Sequence, residues 1–366
     1  MTNRVTNRQM VFIIFLTLTT YSTIDLPKIM AETAGRSSWI PIIGISVLFG
    51  AAAVIVTKLN NMHQKRVLFD YSQEIVGRFF SCLIALYYLV YFLSIGVYLI
   101  LGLVGVLQSN FLPNTPPFVI LLFGITLFGY VAYKGITNVA RGFEISGISF
   151  LVMTVFVCIL MAAGGMHYNI LPLYNASDTK KFGEAMMKLI IPFGGIEVLF
   201  VIPFTIANKK ASKIAFFTLL LIGIFYILII EGTYMILGLN NTIALNDAFI
   251  EAIKVVEAPV IERTDIFYLV TGLMSLFAGM IIVFTAVTEL ACKMFAKIKR
   301  HIIVMIIGAV FFILCLFGQN IKDFNELFAS YAKIPVLVSS ILIPSALFIA
   351  AKLKKRAQNK QKGMPE

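Results

Sequence analysis

About ten apolar runs of membrane-spanning length fill this chain, and the first and sixth are interrupted by polar residues. A spanning helix needs about 20 apolar residues, so such runs leave room for little except a helical membrane bundle. The first run reads Met10 to Leu18 and then meets Thr19-Thr20-Tyr21-Ser22-Thr23-Ile24-Asp25-Leu26-Pro27. The sixth starts near Met187 and is cut by Pro192-Phe193-Gly194-Gly195-Ile196-Glu197, with Pro203 beyond. Backbone that leaves the helix inside a bilayer is tolerated only where it is buried in protein or lines a cavity. Matching interruptions in two halves of a membrane chain therefore point to a binding site between them.

The chain has 366 residues, 59% hydrophobic and 13% charged. Its mean hydropathy is +0.92. No stretch is long enough for a separate soluble domain, so residues 1–366 read as one transmembrane domain. The spans expected are roughly 9–34 (broken), 38–58, 79–108, 117–134, 142–164, 187–207 (broken), 214–238, 264–291, 301–318 and 334–351. Arg4 and Arg8 precede the first run without a small-residue cleavage site after it, so it reads as a retained span and not a signal peptide.

The net charge of +12 is a topology signal, not a nucleic-acid one. Of the 30 basic residues, 21 fall on one set of connections, from Arg4 and Arg8 to a basic tail over 352–366. Lys and Arg concentrate on cytoplasmic loops, which predicts both termini inside and an even number of spans. Two connections carry short amphipathic helices, one over 68–76 inside and one over 245–253 outside, with Asn246 a candidate N-cap. Each follows the second span of its half, on opposite sides. That is the pattern of an inverted five-plus-five repeat, one over about 9–164 and the other over about 187–351.

Ionisable residues within a span are expensive and are functional candidates by default. Asp25 sits at the first break, either as N-cap of a second half-helix or as a ligand group for an ammonium or cation. Thr20, Tyr21 and Ser22 offer hydroxyls beside it. Gly194 and Gly195 permit close backbone approach, as packing or as a site, and Glu197 lies midway through the sixth span. Glu231 lies late in the seventh span, near the outer interface. Glu289 is spaced to pair with Lys293. Among Tyr87, Tyr88, Tyr91 and Tyr98, most read as packing residues, with one available to cover a central pocket.

The cysteines Cys82, Cys158, Cys292 and Cys315 lie in or beside apolar runs with no CxxC pair, and read as small core residues. No phosphate-binding GxxxxGK[ST] loop occurs. His63, His167 and His301 lie in or near connections, so no metal centre or catalytic triad is expected. No cofactor is expected, nor an enzyme.

The pattern resembles the spore germination permeases, the B subunits of germinant receptors, in the amino acid–polyamine–organocation superfamily. The residues that carry the resemblance are Leu26-Pro27 followed by Trp39 opening the second span, Phe193-Gly194-Gly195-Ile196-Glu197-Val198-Leu199-Phe200-Val201-Ile202-Pro203, and Ile261-Glu262-Arg263-Thr264-Asp265. The resemblance implies an all-α integral membrane LeuT-type fold with broken helices 1 and 6. It also implies a nutrient-sensing subunit of the spore inner membrane that works with A and C subunits and binds a small nutrient, an amino acid first. That ligand would lie among Thr20, Tyr21, Ser22 and Asp25 of one helix and Phe193, Gly194, Gly195 and Glu197 of the other. An amino-acid or polyamine transporter of the same fold is the rival, with a structural scaffold behind it. Two departures stand out. Thr20 and Ser22 occupy positions where the family is glycine-rich. No lysine lies between Glu144 and Met166, where proton-coupled relatives often carry one, which fits a sensor better than a pump.

Overall fold

The computed structural model describes residues 6–63, 67–174, 180–201, 210–245, 247–256, 264–321 and 324–361, helical nearly throughout. Eight helices among them are long and apolar enough to cross a bilayer: Gly35–Met62, Arg78–Asn110, Pro117–Lys134, Ala140–Gly164, Ala211–Ala244, Ile266–Met294, Arg300–Gln319 and Lys333–Arg356. They match the expected spans two to five and seven to ten. The expected spans one and six correspond to two further segments.

In chain order the helices are α1 (Asn7–Thr33), α2 (Trp39–Met62), α3 (Leu68–Val76), α4 (Arg78–Asn110), α5 (Pro117–Lys134), α6 (Ile136–Gly164) and α7 (Phe182–Phe193). A 3₁₀ segment, Ile196–Phe200, follows α7. Then come α8 (Ala211–Ala244), α9 (Ala248–Val255), α10 (Thr264–Met294), α11 (Arg300–Gln319), α12 (Phe324–Tyr331), α13 (Lys333–Leu337) and α14 (Ile343–Gln361). A π-helical turn, Val338–Leu342, joins α13 to α14, so the last span runs on through it. The two amphipathic connections form as α3 and α9. Asn246 lies outside the described residues, and Asp247 occupies the α9 cap position without a side-chain hydrogen bond.

α8 packs along α1 and α2, and α10 packs along α4, α6 and α1. This puts α1 at the centre of the bundle: Ile13, Leu16, Leu26 and Met30 are wholly buried. Outward-facing Phe79, Phe123, Phe217 and Phe317 are exposed, as suits a surface meeting acyl chains. Ion pairs tie the ends together. Arg8 meets Glu144 at 3.1 Å, and Lys293 meets Asp70 at 2.8 Å. Glu289 pairs with Arg300 at 2.6 Å and not with Lys293, because the chain turns after α10 and brings Arg300 beside it.

The first expected break is absent. α1 runs without interruption from Asn7 to Thr33, with Pro27 inside it. Proline removes one N–H and crowds the preceding turn, yet a membrane helix tolerates it where neighbours satisfy the freed groups. Between 19 and 27 the sequence has no glycine, so no residue there easily adopts a left-handed conformation. Upstream of the expected break, threonine hydroxyls bond back into the helix: Thr17 Oγ1 donates to the Ile13 oxygen at 2.7 Å and Thr19 Oγ1 to the Phe15 oxygen at 2.7 Å. Asp25 consequently caps no helix start; it lies within α1.

Candidate functional site

The interruption of the sixth span is real and has a local cause. Pro192 cannot donate and its ring blocks the carbonyl one turn back, and α7 stops at Phe193. Gly194 is extended, and Gly195 takes φ +126° and ψ −11° before the 3₁₀ turn begins. A side chain at Gly195 would be strained by that φ, and its Cβ would lie 2.7 Å from Thr17 Cγ2. At Gly194 a Cβ would lie 2.7 Å from Val336 Cγ1. The glycine pair is therefore a packing contact with α1 and α13 as well as a bend. Residues 202–209, including Pro203, lie outside the described residues.

Three donors hold the Glu197 carboxylate, which is 1% exposed. Ser340 Oγ donates to Oε2 at 2.7 Å, the Gly195 amide donates to Oε2 at 3.1 Å, and the Tyr91 hydroxyl donates to Oε1. These donors come from the π-helical turn, the break itself and α4. Tyr88 Oη donates to the Ser339 carbonyl at 2.7 Å, so a second hydroxyl of α4 serves the same turn. π-turns recur at functional sites because they leave one backbone group displaced from the regular ladder.

Other side chains meet the carbonyls around the bend. Asn60 Nδ2 of α2 donates to the Leu199 oxygen at 2.7 Å. Tyr226 of α8 shares its hydroxyl proton between the Leu18 oxygen of α1 at 2.9 Å and the Pro192 oxygen at 3.1 Å. One phenol thus links the helix that stays whole to the helix that breaks.

A cavity of about 670 Å³ opens between α1, α4 and the interrupted span. Its buried walls include Thr17, Tyr91 and Glu197, and the partly exposed Gly195 lies beside them. The wider lining carries three carboxylates, Asp25, Glu32 and Asp247, and three ammonium groups, Lys28, Lys188 and Lys333. Lys188 lies 3.8 Å from Glu32 and 3.8 Å from Glu184. Tyr98 also lines the cavity and stacks on Phe328 of α12, ring centroids 4.6 Å apart. At Asp247, outside the spans, burial and then the nearby Glu251 raise the carboxyl pKa, against the pull of Lys254 and Lys28.

Of the residues picked from sequence, Asp25, Gly194, Gly195 and Glu197 line this one cavity. Phe193 does not: it is fully buried and packs edge-on to Tyr226, ring centroids 5.4 Å apart, and against Phe49. Thr20, Tyr21 and Ser22 lie on α1, with side chains outside the described residues. Both Glu231 carboxylate oxygens are buried, with no hydrogen-bond partner among the described residues. Among the described residues no group of three or more candidate metal ligands comes together. Sequence reading missed Ser340, Asn60 and Tyr226, and weighed Lys28, Lys188 and Lys333 only as topology charges. A hydroxyl or amide inside an apolar run was the available signal.

A family model described as "Spore germination protein" matches residues 4–323. The chain belongs to this family. Among its relatives in Bacillus subtilis (strain 168), spore germination protein YndE is 23% identical, over 98% of this chain and 99% of its own. Spore germination protein B2 is 24% identical over 89% of each chain. Spore germination protein A2 is 23% identical over 92% of each. A solved Na⁺-coupled sialic acid symporter in a substrate-bound outward-open state superposes with TM-score 0.65 at 11% identity, over 93% of this chain and 79% of that one. The fold is therefore of the LeuT type. This spore germination family protein is a multi-pass membrane protein with a transporter-like fold, and not an enzyme.

Proposed function

We propose that this spore germination family protein is the nutrient-sensing membrane subunit of a germinant receptor, with an amino acid as its ligand. It would lie in the spore inner membrane with both termini cytoplasmic, and its partners would be the receptor's A and C subunits. The observation that carries the reading is the cavity of about 670 Å³ against the bend of the sixth span. Its volume is in the usual range for small-molecule sites, about 300–1,000 Å³. Its lining carries four carboxyl groups, Asp25, Glu32, Glu197 and Asp247, and three ammonium groups, Lys28, Lys188 and Lys333, so both signs of charge are on offer, which suits a zwitterion better than a simple ion.

Signalling follows from differential affinity. A ligand shifts an equilibrium only as far as it prefers one helix arrangement over another. The Glu197 network joins the cavity wall to α4 and to the last span, so a ligand that displaces Tyr91 or the Gly194–Gly195 backbone changes how those helices pack. Spores carrying Tyr91→Phe or Gly195→Leu at normal protein level would lose or shift their nutrient response; wild-type germination kinetics in both would reject the site.

The fold shared with a symporter favours a second reading, an amino-acid or polyamine transporter. Flux of labelled amino acids into proteoliposomes separates the two. A sensor binds without accumulation; a transporter accumulates solute against a gradient.

A further inference from the structure

Outside the central cavity, α5 and α11 form one flank of the bundle. There a groove of about 560 Å³ opens on the outside of the bundle, lined by Leu122, Ile125, Val304, Met305 and Phe312 among others. Gly129, Gly308 and Ala309 form part of the lining and leave room between the two helices. The body of the groove is hydrocarbon-like, but one end is not. Tyr130, Tyr133 and His301 line that end, and both tyrosines are exposed.

Charge collects at the same end. The Lys134 ammonium sits over the Tyr130 ring, 5.4 Å from its centroid. Lys299 is exposed and caps the start of α11, two residues before His301. Arg300 builds the rim: its Nη2 donates to the Ala132 carbonyl at 2.8 Å and to Glu289 Oε1 at 2.6 Å. This ties the end of α5 to the start of α11, while Glu289 balances the Arg300 charge. His301 lines this end of the apolar slot, Lys134 reaches it over Tyr130, and Lys299 precedes it at the start of α11.

We propose that this groove is a binding site for an anionic phospholipid, with an acyl chain in the slot and the phosphate at Lys134, Lys299 and His301. An apolar slot with basic residues at one end is the combination that recognises an acidic lipid head group between membrane helices. A zwitterionic lipid fits the slot equally well but gains less at the rim. The tyrosines supply the amphipathic contact usual at the level of head groups. A transmembrane helix of another protein would fill the slot without needing the lysines, so the charges favour the lipid. The proposal is independent of what the central cavity binds.

The test uses the full-length protein purified in mild detergent and exposed to phosphatidylglycerol or phosphatidylcholine, with retained lipid counted by native mass spectrometry. Phosphatidylglycerol should be retained preferentially, and each of Lys134→Gln and Lys299→Gln should lower that preference about fivefold, the attraction one basic side chain has for an anionic surface. Ala309→Leu, which fills the slot, should reduce retention of both lipids while the helical circular dichroism is unchanged. Raised salt should weaken the preference. Equal retention of both lipids by the parent protein would overturn the proposal, as would an undiminished preference in the lysine variants. Efficient cross-linking of Ala309→Cys to another membrane protein, in place of a lipid, in native membranes would also overturn it.

Discussion

Ser340 Oγ lies 2.7 Å from Glu197 Oε2, although 143 residues separate them. The contact joins the π-helical turn of the last span to the bend of the sixth, and Tyr91 completes it from α4. A carboxylate in a bilayer needs such donors, since unpaired buried charge is costly. Glu197 therefore acts first as a clamp that fixes three segments around the cavity. Its value to a ligand is that the clamp is adjacent to the cavity and can be loosened from it.

Ser340→Ala should lower stability by about 0.6–1.7 kcal/mol, the usual range for a hydrogen bond between membrane helices. Tyr91→Phe should do the same. Because both donors serve one carboxylate, the double variant should differ from the sum of the singles. Unfolding in mixed SDS–detergent micelles measures all three, and strict additivity would show that the network is not coupled.

Gly195→Ala should destabilise by about 1–3 kcal/mol, the cost of a non-glycine residue held at an unfavourable φ, plus the contact with Thr17 Cγ2. Combining it with Thr17→Ala should recover only part of the loss, because removing the methyl relieves the contact and not the backbone strain. Full recovery would mean that φ is not the constraint.

The Lys188 pairs with Glu32 and Glu184 are at 3.8 Å and partly exposed, a class that contributes little to stability. Lys188→Ala should leave the melting temperature within about 1 °C of the parent, since surface changes are usually worth under about 0.5 kcal/mol. It should nevertheless change the nutrient concentration that gives a half-maximal response, because it alters the charge of the cavity lining. An unchanged response would place ligand entry elsewhere.

Asp247 supplies a pH signature. Its carboxyl is raised in the folded protein, chiefly by burial and next by Glu251, so the folded state binds its proton more tightly than the unfolded chain does. Stability from this group is then greatest below the ordinary aspartate range, near pH 3.9, and falls as pH rises through the higher folded value. Asp247→Asn should remove that loss. The variant should melt above the parent at pH 7, with the gap closing toward pH 4. A gap that does not depend on pH would assign the effect to packing.

Sequence alone revealed the bundle, the two amphipathic connections and the sixth-span bend, because each rests on local chemistry: apolar run length, helical spacing, and a proline followed by two glycines. It misjudged α1, where proline stood without glycine and the helix runs on through it. Glu197 was visible as an ion within a span. Its partners Tyr91 and Ser340 are 106 and 143 residues away in sequence, and only tertiary packing brings them together. Phe193 stands apart from the cavity for a related reason. Its neighbours in sequence face the cavity, but its own ring falls on the side of the bend that packs against Tyr226.

Binding of amino acids to the purified protein tests the central claim most directly, followed as melting temperature across the twenty protein amino acids in the parent and in Tyr91→Phe. At least one amino acid should stabilise the parent in a saturable way, by about 2.7 kcal/mol at a hundred times its dissociation constant. The same amino acid should stabilise Tyr91→Phe less. No stabilisation by any of the twenty, or an identical shift in the variant, would contradict a ligand site at the bend of the sixth span.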